Sequence, residues 1–428
     1  MSEIEATPPN GYTVVSTFSG AGGSCLGMRM AGFRVAWASE FVEAAQEVYR
    51  MNHPMTPLDH RDIREVKGQD ILDTLGIKVG ELDLLEGSPP CASFSLAGKR
   101  EKGWGKVNAY SDTKQRVDDL FLEFARLIKE MQPKVFLAEN VRGLISGVSK
   151  GMFKEFLKTF KALGYDTKAC LLNAKWLGVP QNRERVFFMG VRNDLKVRPV
   201  FPKPLPYYYT VREAIPWIVR HSKSKSSGQW NTDVPCIEQA QMVPSDQEVS
   251  STLLQGGSMK AAHFAETTKD APDVPGTRLV MDSSGQWKTI DFTDDASPCV
   301  RASGVGHLFV VEDESEIKEG TALAGEWDKL APGQKGKFLN FIKARPDLPC
   351  PTVTAMGGQP AASVAHPYQR RKFSMAELRR ICAFPDDFKL TGSYSQQWER
   401  LGRAVPPVMM YHIASAVRDG VLRRIDRG

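Results

Sequence analysis

The stretch YTVVSTFSGAGG, Tyr12 to Gly23, decides the reading of the fold. Its first half is a β-branched run, the composition of a buried strand. Its second half breaks into Gly20, Gly22 and Gly23, and a helical pattern follows from Ser24. A strand that turns through glycines into a helix lets the backbone approach a ligand, and the helix N-terminus favours negative charge. The same glycines would also serve an ordinary turn with no ligand. Glu40 ends the next strand, Arg34 to Glu40, at the spacing where an acid holds a ribose hydroxyl. Nicotinamide, flavin and methyl-donor sites all share these features.

Outward from this stretch, strands and helices alternate over the first two hundred residues. Glu81 to Glu86 (ELDLLE), Lys134 to Glu139 (KVFLAE) and Val186 to Val191 (VFFMGV) are strand-like. Val117, Leu120, Phe121, Phe124, Leu127, Ile128 and Met131 recur at helical spacing, as do Met152, Phe153, Phe156, Leu157 and Phe160. The expected fold class is α/β, with a mostly parallel sheet covered on both faces. Three strands carry chemistry at an end. Gly87-Ser-Pro-Pro-Cys91 follows ELDLLE, and two prolines fix the backbone before the thiol. Glu139-Asn-Val141 closes KVFLAE, and Gln181-Asn-Arg-Glu-Arg185 leads into VFFMGV. Taken singly, these read as a structural cysteine, a turn cap and a charged edge. Together they fit one crevice at the strand ends.

The composition shifts near Phe201, where Pro202, Pro204, Pro206 and the Tyr207–Tyr209 run break the periodicity. Residues 201–365 are poor in long helical patterns and rich in Gly, Pro and Thr. Three phrases there look alike, SSTLLQGG at Ser251, SPCVRASG at Ser297 and CPTVTAMGG at Cys350, and are expected to be turn-flanked strands of one sheet. Helical patterning returns at Ser374–Ala383 and Pro407–Leu422. The expected organisation is a catalytic and cofactor-binding domain over 1–200, a smaller β-rich domain over 201–365, and a segment 366–428 that returns to the first.

Over 428 residues the net charge is +6, but residues 201–365 carry −4 and the remainder +10. Between Gly98 and Arg116 stand Lys99, Arg100, Lys102, Lys106, Lys114 and Arg116 against Glu101 and Asp112. Such a loop attracts a phosphate backbone, or is simply a solvated surface. No run of about 18 apolar residues exists, which excludes a spanning helix. The seven cysteines have no C-x-x-C spacing, so no metal site is expected, and a reduced, intracellular protein is the natural reading.

The blocks FSGAGG, SPPC, ENV, QNRERV, RKFSMAE and GRAVPP, in this order from Thr17 to about Arg418, resemble the DNA (cytosine-5) methyltransferases, bacterial or phage type. VREAI near Val211 and EWDKLAPGQ near Glu326 are also similar to bacterial members. The resemblance implies a Rossmann-like methyltransferase domain with a target recognition domain inserted, S-adenosyl-L-methionine as donor, S-adenosyl-L-homocysteine as product, and a cytosine flipped out of double-stranded DNA as substrate. It implies that Cys91 is the nucleophile, that Glu139 acts on N3 and the exocyclic amine, and that Arg183 and Arg185 hold the base. Donor contacts fall on Phe18, Gly20, Gly22, Gly23, Glu40, Phe41, Asp62, Ile63, Pro89, Leu120 and Val405. The last block departs from the family at Arg403, where asparagine is usual. The basic loop 98–116 would be the lid over the target. With motifs beginning at Thr17, no N-terminal regulatory domain is expected, and a monomer in the bacterial cytoplasm, on nucleoid DNA, is expected. The rivals are a tRNA cytosine-5 methyltransferase, a non-catalytic DNA-binding relative, and a dinucleotide oxidoreductase.

Overall fold

The computed structural model describes residues 1–90, 119–146, 149–216, 218, 315–336, 341–358 and 364–427, and the backbone course of short strands within 108–115 and 220–310. Cys91, the basic loop apart from its two short strands, and most of 224–314 lie outside the described residues.

The sheet is built from β1 (Thr13–Thr17), β2 (Arg34–Ser39), β3 (Leu58–Asp59), β4 (Leu84–Gly87), β5 (Val135–Val141), β6 (Tyr165–Asn173) and β7 (Glu184–Arg192). Their spatial order is β3-β2-β1-β4-β5-β7-β6. The pairs β2–β3, β1–β2, β1–β4 and β4–β5 are parallel, whereas β7 runs antiparallel to both β5 and β6. Strand order reverses beside β1, and open α/β sheets form their ligand crevice at that point, beyond the carboxyl ends of the strands. The reversed β7 has a further consequence. Its beginning, with Arg185, lies at the edge where β5 ends with Glu139.

Alternation along the strands separates two cores. Val14, Leu84, Val135, Leu137, Phe187 and Met189 face one side, with α1 (Gly23–Met30) and the long C-terminal helix Pro407–Val417. Val15, Leu85, Phe136, Ala138, Val186 and Phe188 face the other, under the helices Leu120–Met131 and Lys150–Ala162. Each such aromatic or aliphatic side chain removed from water contributes about 1.5–3 kcal/mol. A third cluster joins Leu26 and Val48 to Phe373, Leu378 and Trp398. Val211, Ile215, Cys350 and Val353 belong to it as well, so both flanks of the 201–365 region share a core with the C-terminal segment.

The structure adds one strand and corrects one expectation. Tyr165–Asn173 is a full strand that periodicity did not mark. Its edge position leaves Lys168 exposed and Asp166, Ala169 and Cys170 half-buried, which blurs the alternation. The three similar phrases are not one sheet. Val300–Ser303 pairs with His307–Val310, while Cys350–Pro351 pairs in parallel with Gln181–Asn182 beside the main sheet. Buried Cys350 and Val353 draw that phrase into the third core, away from the hairpin. The Ser251 phrase lies outside the described residues. Among the described residues, no helix is long and apolar enough to cross a membrane, and no three His, Cys, Asp or Glu are grouped to hold a metal.

Candidate active site

A cavity of about 540 Å³ opens at the carboxyl ends of β1, β2, β4 and β5. That volume lies in the ordinary range for small-molecule sites. Its floor is the turn after β1. Phe18 there has φ 55 and Gly22 has φ 87, both left-handed. Glycine takes such a φ freely, whereas at Phe18 the backbone is strained by about 1–2 kcal/mol. Ser19 N–H donates to the Ser39 carbonyl at 2.9 Å, fastening the turn to β2. Gly23 is required by close approach, because a Cβ there would stand 2.5 Å from the Val405 carbonyl oxygen. The first and last sequence blocks therefore meet at one glycine.

Glu40 closes the next wall. Its two carboxylate oxygens accept from Gly20 N–H at 2.8 Å and Val42 N–H at 2.7 Å. Burial raises its pKa, opposed by those two N–H bonds and by the Arg400 charge. The carboxylate thus shapes the turn, and lone pairs remain for ligand hydroxyls. Phe41 stands 39% exposed at the rim. Asp62 lines the cavity with both oxygens held by Arg64. Ile63, Pro89, Leu120 and Val405 are buried apolar walls.

At the head of the cavity, Arg185 Nε lies 2.8 Å from Glu139 Oε1. Burial raises the Glu139 pKa, while the charges of Arg185 and Arg183 pull it back. Pro89 and Pro90 form the adjoining wall. Asn140 joins the two, as its Nδ2 donates to the Pro89 carbonyl at 3.3 Å.

Two of the expected site residues point elsewhere. Gly22 does not line the cavity. Its carbonyl accepts from His53 Nε2 at 3.1 Å, and His53 Nδ1 takes a bond from Arg29 at 3.3 Å. Burial first, then the Arg29 charge, lowers the His53 pKa to about 3, so this histidine is a neutral strut. Arg183 is 1% exposed and directs its guanidinium to the carbonyls of Val353, at 3.0 Å, and Arg403, at 3.4 Å. It ties two wall segments to the sheet. Burial first, then Arg185, lowers its pKa to about 9, and it stays charged at neutral pH. Arg400, Arg403 and Thr354 also line the cavity, and sequence reading assigned none of them to the donor. Arg403 pairs with Glu399 at 2.7 Å. Only their place in the third dimension reveals Arg400 and Thr354, whereas the QNRERV block alone could not tell Arg183 from Arg185.

The arrangement offers a glycine-floored pocket with acids placed for hydroxyls and amines, next to a carboxyl–guanidinium pair. This suits group transfer between a nucleoside-like donor and a polar planar acceptor. The chain is similar to known methyltransferases. Type II methyltransferase M.NgoPII of Neisseria gonorrhoeae is 37% identical over 203 residues, 47% of this chain and 54% of that one. Type II methyltransferase M.DdeI of Desulfomicrobium norvegicum is 28% identical over 420 residues, 94% of this chain and 88% of that one. An Escherichia coli crystal structure, of a protein described only as a candidate prophage-encoded DNA modification methyltransferase, has the same fold, with TM-score 0.60 and 22% identity over 96% of this chain and 99% of that one. The family profile for C-5 cytosine-specific DNA methylase matches residues 12–419, and the chain belongs to that family of DNA methyltransferases.

Proposed function

We propose that the chain moves a methyl group from S-adenosylmethionine to C5 of a cytosine flipped out of double-stranded DNA, with Cys91 as nucleophile. The observation that carries this reading is the Arg185–Glu139 pair, at 2.8 Å, heading a cavity walled by Pro89 and Pro90. Cys91 is the next residue in the chain. The donor's parts match the cavity. Glu40 and Asp62 suit ribose hydroxyls and an adenine amine, Phe41 offers a ring face, and the volume admits a nucleoside with an amino-acid tail.

Carbon 5 of cytosine is a weak nucleophile, so the reaction is split into two steps. The Cys91 thiolate forms a bond to C6, and the displaced electron pair moves toward N3. Glu139, kept neutral more readily by its burial, gives N3 a proton. Arg185 orients that carboxyl and offers donors to the base carbonyl. The donor, when bound, supplies an electrophilic methyl on a sulfonium. C5 takes that methyl and the donor leaves as a neutral thioether; N3 returns its proton to the Glu139 carboxylate, a base removes the C5 proton, and the C6–S bond breaks to return the Cys91 thiolate.

A base in a duplex cannot be attacked on C6, so the target leaves the stack. We assign sequence readout to the region within 201–365, and phosphate contact to the basic loop 98–116. The chain acts as a monomer on DNA in the cytoplasm. Bisulfite sequencing of DNA from cells expressing the protein tests the reading. One protected cytosine context is expected, absent with Cys91→Ser. No protected context with well-folded protein would overturn it.

A further inference from the structure

Glu86 is an acid that the mechanism above does not use. It sits on β4, 1% exposed, opposite Ser16 of β1 in register. Ser16 Oγ donates to its Oε2 at 2.6 Å, and the Ser24 hydroxyl in the first turn of α1 bonds to it too. Ser16 Oγ is in turn 2.9 Å from Ser19 Oγ, inside the turn that floors the cavity. Thr17 Oγ1 donates to the Glu86 carbonyl at 3.1 Å. Among the described residues, no cation pairs with this carboxyl. One side chain thus joins the end of β1, the donor turn, the start of α1, and the strand that runs into Ser88–Cys91.

We propose that Glu86 is a positioning residue whose carboxyl locks the donor turn Phe18–Gly23 to the strand leading into the nucleophile block. The serine hydroxyls can bond either protonation state, and burial without a counter-charge favours the neutral acid. A protonated carboxyl both donates and accepts, and so can close the network of Ser16, Ser19 and Ser24. A carboxylate only accepts, and is buried without a counter-charge. Burial raises the Glu86 pKa to about 7; its serine bonds oppose the rise, and the Glu139 charge from β5 adds to it. The other titratable groups facing it are Cys25 of α1 and Tyr49, whose hydroxyl donates to Cys25 Sγ at 3.3 Å. Burial is the first cause of both their shifts; Cys25 is raised to about 11 and Tyr49 well above its ordinary value, so neither titrates near neutrality. The turn therefore holds its donor-binding shape below neutral pH and loosens above it.

The consequence for the donor rests on the function proposed above, so the test has one arm that needs no donor. Backbone hydrogen exchange over residues 16–24, corrected for intrinsic rates, is compared at pH 6 and pH 8.5 in wild type, Glu86→Gln and Glu86→Ala. Wild type is expected to lose protection about tenfold across this range. Glu86→Gln, neutral and of the same shape, should change less than twofold, and Glu86→Ala should be poorly protected at both. Calorimetry with S-adenosylmethionine should follow the same pattern, with wild-type affinity about tenfold weaker at the higher pH and the Gln variant flat. The proposal is overturned if Glu86→Gln responds to pH as wild type does, or if Glu86→Ala keeps wild-type protection. If wild type binds no S-adenosylmethionine at either pH, the donor assignment fails, and the exchange arm still judges Glu86.

Discussion

Arg185 Nε and Glu139 Oε1 stand 2.8 Å apart across neighbouring antiparallel strands, their side chains only 14% and 11% exposed. Register alone would set Arg185 opposite Val141, two residues beyond Glu139, so the guanidinium reaches along the strand to meet the acid. A buried carboxyl kept beside a cation can give or take a proton without being stranded as a lone charge.

Glu139→Gln should reduce turnover at least a hundredfold, in line with the loss of a positioned general acid, while DNA binding persists. Because burial raises the Glu139 pKa, the protonated form prevails at lower pH and turnover should fall as pH rises through that value. Its contribution to stability has the same sign, present below the unfolded-state value and lost as pH rises. A pH–rate profile checks this; an unchanged alkaline limb in the Gln variant would assign that limb to another group. Arg185→Ala, which strands the acid, should also lower stability by roughly 3 kcal/mol in denaturant titration.

Glu40→Ala removes the acceptor for both Gly20 and Val42 N–H. Donor affinity should weaken more than tenfold, with DNA affinity little changed. Calorimetry that finds donor affinity within about threefold, less than 1 kcal/mol, would separate Glu40 from the donor.

Gly23→Ala forces a Cβ to within 2.5 Å of the Val405 carbonyl. The C-terminal block must back away from the turn Phe18–Gly23, at a cost of about 1–3 kcal/mol for an overpacked contact. A lower melting temperature together with weaker donor binding is expected. Unchanged values for both would mean that the two blocks need not touch.

Neutralising Lys99, Arg100, Lys102 and Lys106 should weaken binding on all DNA sequences alike. It should also flatten the salt dependence, by about one unit of slope for each phosphate that is no longer neutralised. Filter binding across salt concentrations checks this. An altered preferred sequence would show that the loop reads bases itself.

Much of this was legible in the chain because strand-end chemistry is local. Phe18–Gly23, Glu40, the prolines before Cys91, Glu139 and Arg185 each follow or precede an apolar run, and a sheet brings such positions to one edge. What was not legible depends on distant segments. Arg183 and Arg185 alternate in one motif, yet one meets the acid and the other backbone carbonyls of Val353 and Arg403, which come from far along the chain. His53 has no motif at all; its role as a strut under Gly22 appears only when α1 and the helix Glu43–Asn52 are packed. Strand Tyr165–Asn173 was missed because charged and half-buried positions interrupt its alternation.

The central claim is a covalent bond between Cys91 and the target base. DNA carrying 5-fluorocytosine at the recognised position, incubated with the protein and S-adenosylmethionine, should trap it, because fluorine on C5 leaves no proton to remove. The account predicts a denaturation-resistant adduct whose peptide mass maps to Cys91, and none with Cys91→Ser. An enzyme that methylates ordinary DNA but forms no adduct, or one joined through another residue, would contradict it.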